Sequence, residues 1–315
     1  MATHIGVFAG GLLLGAGGAC FLTWRKAPVP AAKPAEVAVP GAPSASPAAL
    51  HEALLLSGAP SALTDVLVHE AYVSSYDRRL RHPIWTAEHL TQASLQRRDG
   101  VNRANSVFSE DMRVPQLFRS TNADYFRSGY DRGHMVPAAD AKASQSAMNE
   151  TFLLSNIAPQ VGEGMNRDYW SHTEDFVRRL TGHFSDVYVF TVPLYLPRQT
   201  SDGKWRVSYE VIGSPPSVSV PTHFAKVILG VTGGGVGLGK AKSFSMGAFV
   251  IPNSMIPNSA PLRSFATDVE AVERAAGVQF FPAAIKRASR KLCDSVKCEI
   301  IVRDFSKAAK QLPAP

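Results

Sequence analysis

Six prolines (28, 30, 34, 40, 43 and 47) stand among alanines and other small residues between Ala27 and Ala49. Such a stretch cannot bury a core and favours extended, polyproline-like conformers. Whatever precedes it and whatever follows it must therefore fold separately. On the N-terminal side, Ile5 to Trp24 contains no charged residue and is followed at once by Arg25-Lys26. Twenty residues rising about 1.5 Å each just span a hydrocarbon layer of about 30 Å. Glycine makes this run a mediocre helix former, although Gly11 and Gly15 give a G-x-x-x-G spacing that lets two such helices pack closely. An uncleaved membrane anchor is the reading favoured here, with a cleaved targeting sequence as the alternative. No Lys or Arg precedes the apolar run, and no Arg-rich amphipathic stretch is present. The expected division is an anchor at 1–26, a Pro/Ala-rich spacer at 27–60, a globular domain at 61–306 and a flexible tail at 307–315.

The chain as a whole has 315 residues, of which 45% are hydrophobic and 19% charged, enough apolar material for a sizeable core. Lys and Arg number 33 against 26 Asp and Glu, a formal charge of +7. That balance suits a polyanion or an anionic membrane, because neutralising phosphates releases counterions, but mild basicity alone selects neither. Three cysteines exclude a disulfide-built scaffold. Cys293 and Cys298 lack the further neighbouring ligands a zinc site needs, which leaves a disulfide or two buried thiols.

Past Leu50 the β-rich runs are Asp186–Thr191, Val207–Ile212, Val218–Gly230 broken at Pro221, Gly247–Ile251 and Glu299–Val302. Most are flanked by Gly, Pro, Asn, Asp or Ser. Asn166–Leu180 has helical spacing, with Trp170, Phe176, Val177 and Leu180 on one stripe. Ser264–Ala276 reads as a second helix ending at Gly277. Strands and helices do not alternate regularly, which predicts an α+β domain with a central, mainly antiparallel sheet flanked by helices.

Two stretches carry chemistry. In Tyr125–Asp140, Gly129 and Gly133 bracket Asp131-Arg132, and His134 emerges beside the Arg132 guanidinium. An imidazole can take a proton from water near neutral pH, and a guanidinium suits a phosphate bidentately. Alone, D-R-G-H is a weak signal, because a histidine after a glycine is commonly a turn residue. Downstream, Asn166, Trp170, Glu174 and Arg178 recur every fourth residue, placing an amide oxygen, a carboxylate and a guanidinium along one side of a helix. Few, hard oxygen ligands suit Mg2+, which keeps most of its waters. An amphipathic helix with an ordinary Glu174–Arg178 pair would show the same spacing.

SGYDRGHMVPAAD followed by ETFLLSNIAPQVGEGMNRDYW resembles the DNA/RNA non-specific endonuclease family, in its mitochondrial endonuclease G and fungal nuclease branch. AYVSSYDRRLRHPIWTAEHLT, NADYFRSGYDRGH, PLYLPR, VSYEVIG, VPTHFAKVIL and IIVRDFS extend the resemblance across residues 65–306. It implies a ββα-metal finger set in the sheet, with His134 as general base, Arg132 on phosphate and Asp131 ordering the motif. It further implies Asn166 as the one direct protein ligand of a hydrated Mg2+, with Mn2+ as a substitute. Glu174 would hold the metal's water, Arg178 would face the phosphate, and Asn156 would support the site. DNA and RNA are the implied substrates, and a homodimer held by its N-terminal helix in the mitochondrial inner membrane, facing the intermembrane space, the implied setting. Departures are a segment one residue longer between Asn156 and Asn166 with a fungal-type VGEG, Val192 where glycine is more frequent, and Thr173 where leucine is usual. Competing readings are a membrane-anchored protein that binds nucleic acid without cutting it, and a phosphodiesterase acting on lipid head groups. No G-x-S-x-G favours a serine hydrolase.

Overall fold

The structure, a computed structural model, describes residues 62–233 and 242–303. The expected anchor and spacer lie outside these residues, and so does the expected tail. Among the described residues no helix is long and apolar enough to cross a membrane.

In chain order the strands are β1 (Thr64–Val68), β2 (Tyr72–Asp77), β3 (His82–Leu90), β4 (Asp131–His134), β5 (Ile157–Gln160), β6 (Asp186–Leu194) and β7 (Arg198–Gln199). They continue with β8 (Trp205–Arg206), β9 (Val211–Ile212), β10 (Val218–Ser219), β11 (His223–Thr232), β12 (Ser243–Pro252), β13 (Ala266–Thr267) and β14 (Ser289–Lys291). The main sheet runs β1-β2-β3-β6-β11-β12-β13, with β14 alongside β12. Every pairing in it is antiparallel except β12 with β14. The α+β expectation with a mainly antiparallel central sheet therefore holds for the described residues.

Period-2 alternation along the central strands supplies both faces of the sheet. Val187, Val189, Phe224, Ile228, Phe249 and Ile251 point to one face and meet the helix Tyr169–Arg179 through Trp170, Phe176, Val177 and Leu180. Val192, Leu194, Ala225, Val227, Leu229 and Ala248 point to the other and meet the helix Val269–Ala276 through Val269 and Val272. Val192 thus packs into the core away from the long helix, and Thr173 is buried with its hydroxyl donating to the Tyr169 carbonyl at 2.9 Å. Neither departure from the family pattern intrudes on the site described below.

Several elements differ from expectation for identifiable reasons. β1–β3 form a meander, and their alternation is masked by buried polar residues: Ser74, Ser75, Thr86 and Glu88 all lie inside. Only Val211–Ile212 of the expected strand Val207–Ile212 is paired, in a two-stranded sheet with β10, and Val207 and Tyr209 stay exposed outside any strand. Glu299–Val302 forms no strand. Its start is tied instead by the Cys293–Cys298 disulfide and by Arg179 donating to the Glu299 carbonyl at 3.0 Å. The second helix begins at Val269 rather than Ser264, since residues 262–265 form a tight turn and Ala266–Thr267 pair with β12. It ends at Gly277 as expected, with φ +70° and its N–H on the Glu273 carbonyl.

The disulfide resolves the two alternatives for these cysteines. It closes a loop of sequence separation 5, and a loop that short restricts the unfolded chain by about 2 kcal/mol. Replacing both cysteines by serine should lower stability by about that amount in denaturant titration, and reductant should reproduce the loss in the parent protein. An unchanged midpoint in both would contradict this.

Candidate active site

The hairpin β4–β5 and the long helix converge on one side of the sheet, and the link between them is a tight turn. Asp131 pairs with Gln160 at one end of the hairpin and His134 with Ile157 at the other. Gly133 is required here because a Cβ would lie 2.0 Å from Gln160 Oε1. Residues 162–166 then form a single wide turn, closed by the Asn166 N–H on the Val161 carbonyl at 2.9 Å. Both glycines of the VGEG segment are used. Gly164 has φ +70° and its Cβ would strike Met255, while a Cβ on Gly162 would lie 2.5 Å from the Arg167 guanidinium. Asn166 therefore sits in the turn ahead of the helix rather than on it, a correction to the four-residue stripe expected from Asn166 to Arg178.

Asp131 joins these pieces. Its carboxylate accepts from Arg167 Nε at 2.8 Å and Nη2 at 2.7 Å, and from Asn166 Nδ2 at 2.9 Å. Against a burial effect of opposite sign, these bonds hold its carboxyl below the ordinary range. Since the amide nitrogen of Asn166 is committed to Asp131, its oxygen is the atom left for an external partner.

His134 lies between Phe108 and Phe152, at ring-centroid distances of 5.3 and 4.7 Å. Burial, and secondarily the charge of Arg103, hold the imidazole down to about 3. It is neutral at physiological pH, and Nε2 makes no hydrogen bond among the described residues. Arg132 stacks over Phe108 at 4.3 Å and donates to Asn122 Oδ1 at 2.6 Å. Asn156 is a different case. It is fully buried, donates to the Val136 and Thr151 carbonyls and accepts from the Val136 N–H. Its amide is committed to fixing the chain just beyond His134, so it positions the site rather than facing a ligand.

Glu174 and Arg178 lie on the helix above a buried polar cluster. Arg178 donates to Asp140 at 2.9 Å. Lys226, from the middle of β11, is 1% exposed. It donates to Thr191 Oγ1 at 2.7 Å and, more weakly, to the Met135 carbonyl at 3.4 Å, and lies 5.1 Å from the Trp170 ring. One ammonium thus touches the end of β4, the long helix and β6. Burial pushes the Glu88 carboxyl well up, with Asp140 adding to the effect. Asp140 and Glu174 are then balanced by Arg178 and Lys226, which makes the burial tolerable. Burial also pushes Glu174 up to about 7, against the opposing charges of Lys226 and Arg178.

The sequence reading missed Arg103, Lys226 and Glu88. Arg103 occupies a three-residue turn, lies 5.5 Å from the Phe152 ring, and acts electrostatically on both His134 and Glu174. No periodicity marks such a residue. The one available signal for Lys226 and Glu88 was a charged residue inside an otherwise apolar strand pattern. Among the described residues no three His, Cys, Asp or Glu side chains cluster as a cage for a metal. The Asn166 oxygen is a neutral hard donor of the kind that suits a metal held largely by water.

The family model described as DNA/RNA non-specific endonuclease matches residues 51–286. The mitochondrial nuclease 1 of Schizosaccharomyces pombe is 48% identical over 254 residues, covering 81% of this chain and 77% of that protein. The mitochondrial nuclease of Saccharomyces cerevisiae is 46% identical over 82% of this chain and 80% of its own length. A solved structure of an endonuclease G in complex with its inhibitor is 44% identical, with a TM-score of 0.68, covering 79% of this chain and all of that one.

A carboxyl whose folded-state value is raised from 4.5 to about 7 leaves the folded form with more bound protons between those limits. Its stabilising contribution is complete below pH 4.5 and is lost as pH rises through about 7. The buried histidines held low in the fold, His69, His82 and His134 among them, act in the opposite sense over part of the same window, in parent and variant alike, so the Glu174 contribution is read as a difference. In metal-free protein the melting temperature of Glu174→Gln should fall less, or rise more, from pH 4.5 to about 7 than that of the parent. Identical slopes for variant and parent in pH-dependent melts with chelator would contradict this.

Proposed function

The chain belongs to the DNA/RNA non-specific endonuclease family, and from that premise we propose that it is a Mg2+-dependent nuclease without sequence or sugar preference, producing 5′-phosphate ends. The chain is an endonuclease, an enzyme hydrolysing phosphodiester bonds. The observation that carries the finer reading is the pairing of a neutral His134, whose Nε2 is unengaged among the described residues, with an Asn166 oxygen oriented by Asp131. A proton acceptor and a hard oxygen ligand are what metal-assisted hydrolysis of a phosphodiester needs.

His134 Nε2 takes a proton from a water aligned with the phosphorus, and the desolvating rings of Phe108 and Phe152 keep the imidazole uncharged until it does. Arg132 and Arg103 flank the imidazole and draw the phosphate to it, and Arg178 adds positive charge from the helix side. Arg132 is held by Asn122 and Phe108, so its guanidinium meets the phosphate without first losing much freedom. Asn166 would hold Mg2+, with Glu174 on its water shell, and the bound ion would supply positive charge that offsets the charge developing in the reaction; Mn2+ is expected to substitute. Contacts of this kind address phosphate and metal, which supports cleavage of both DNA and RNA.

The names of the fungal relatives support a mitochondrial setting. The inner-membrane anchor through residues 1–26, the orientation toward the intermembrane space, the division at 27–60, 61–306 and 307–315, and a homodimer are proposed with it.

His134→Ala should lower plasmid and RNA cleavage by at least about 10³-fold, at the strong end of proton-transfer effects, without altering the melting temperature appreciably. Asn166→Ala should reduce metal-supported turnover, and EDTA should silence the parent protein. Cleavage that survives chelation, or an active His134→Ala, would overturn the assignment.

A further inference from the structure

The loop ahead of Arg103 forms a cleft of about 470 Å3 whose lining includes Arg97, Arg98, Asp99, Asn102 and Asn105. Arg97 turns its guanidinium inward, with Nε and Nη2 both donating to the Val101 carbonyl, which shapes the loop. Arg98 is exposed, and its side chain makes no ion pair among the described residues. Its backbone N–H donates to the Lys142 carbonyl at 3.2 Å. Lys142 follows Asp140, the partner of Arg178, by two residues. Burial, and then the charge of Arg178, hold the Lys142 ammonium below its ordinary value, with Arg97 adding to the effect. Loop and helix are thereby joined across one surface.

The turn Arg103–Asn105 faces both ways. Arg103 lies by the Phe152 ring and acts on His134 and Glu174, whereas Asn102 and Asn105, on either side of it, line the cleft. The cleft edge therefore begins at the residues on either side of Arg103. The Asn102 side chain caps the turn through the Ala104 N–H, and its own N–H is held by Gln145 Oε1 at 2.8 Å, so the edge is fixed in place.

We propose that this cleft is a subsite for a backbone phosphate flanking the scissile bond, with Arg98 as its charged contact and Asn105 as a neutral donor. The assignment rests on the nuclease reading for the identity of the polyanion. Two guanidinium groups against one carboxylate give the cleft a net positive charge, and Asp99 gives it an acidic wall that weakens the hold on phosphate. A contact of this kind positions the strand and does not read bases.

The test uses the full chain carrying His134→Ala and a fluorescein-labelled oligonucleotide of about a dozen nucleotides, within the usual range of single-strand site sizes. Arg98→Ala should raise Kd about three- to tenfold and lower the slope of log K against log salt by about 1. Arg98→Lys should retain most of the binding and Arg98→Glu should lose more than Arg98→Ala. Asp99→Asn should tighten binding about two- to fivefold, a change of sign that simple loss of structure does not produce. In protein with His134 intact, a dinucleotide spanning only the scissile phosphate should be cut equally well by parent and Arg98→Ala.

Unchanged Kd and salt slope in Arg98→Ala and Arg98→Glu would overturn the subsite. So would equal losses on dinucleotide and oligonucleotide, which would place Arg98 in the catalytic centre itself. If the parent cuts nothing while the Arg98 variants still bind less tightly, the nuclease reading fails and the anion cleft stands. If the parent cuts and the variants bind alike, the cleft alone fails.

Discussion

One carboxylate holds the candidate centre together. Asp131 receives the Arg167 fork on both oxygens and the Asn166 amide on one of them. It begins the strand that ends in His134, so the same residue that starts the base-bearing segment orients the proposed metal ligand. A bidentate arginine pair is directional and keeps its geometry at the surface better than a lysine pair would. Gly162 leaves the space this pair occupies, and Gly133 lets Gln160 cross behind the strand. Without the bridge, the turn 162–166 would have no side-chain tie to β4, and the two halves of the centre would be related only through the sheet.

A second layer lies underneath. Lys226 reaches from β11 to the carbonyl after His134, to Thr191 and to the Trp170 ring, while Arg178 ties the helix to Asp140. Burying two cations among carboxyls is expensive unless charges match. The upward push on the Glu88 carboxyl eases that match. This arrangement leaves Glu174 poised near neutrality, where a bound cation would shift it to the ionised form. Asn156 completes the support by using its whole amide on the chain that leaves β4.

Legibility in the sequence followed the local or non-local origin of each feature. The central strands β6, β11 and β12 and the helix ending at Gly277 could be read because their signals are local: alternation, a proline break and a terminal glycine. The motif residues Asp131, Arg132, His134, Asn166 and Glu174 could be named, but their grouping came from family resemblance, since spacing alone placed Asn166 on the helix where the structure puts it in the preceding turn. β1–β3 were hidden by polar residues whose burial is set by partners far along the chain. Arg103 gave no usable signal because its importance lies in what it approaches across the fold, and Lys226 showed only as a charge inside an apolar strand pattern. The opposite error arose at Val207–Ile212, where a strand-like pattern is left exposed.

Orientation of Asn166 by Asp131 for a metal is tested most directly by titrating metal-free protein with Mn2+ and following the free ion by electron paramagnetic resonance, for the parent, Asn166→Ala and Asp131→Ala. Loss of a partner that orients a ligand weakens metal affinity by about 10- to 100-fold. Asp131→Ala should therefore show a loss of that size while keeping a cooperative melt, and Asn166→Ala should lose at least as much. Parent-like Mn2+ affinity in a folded Asp131→Ala variant would contradict the account.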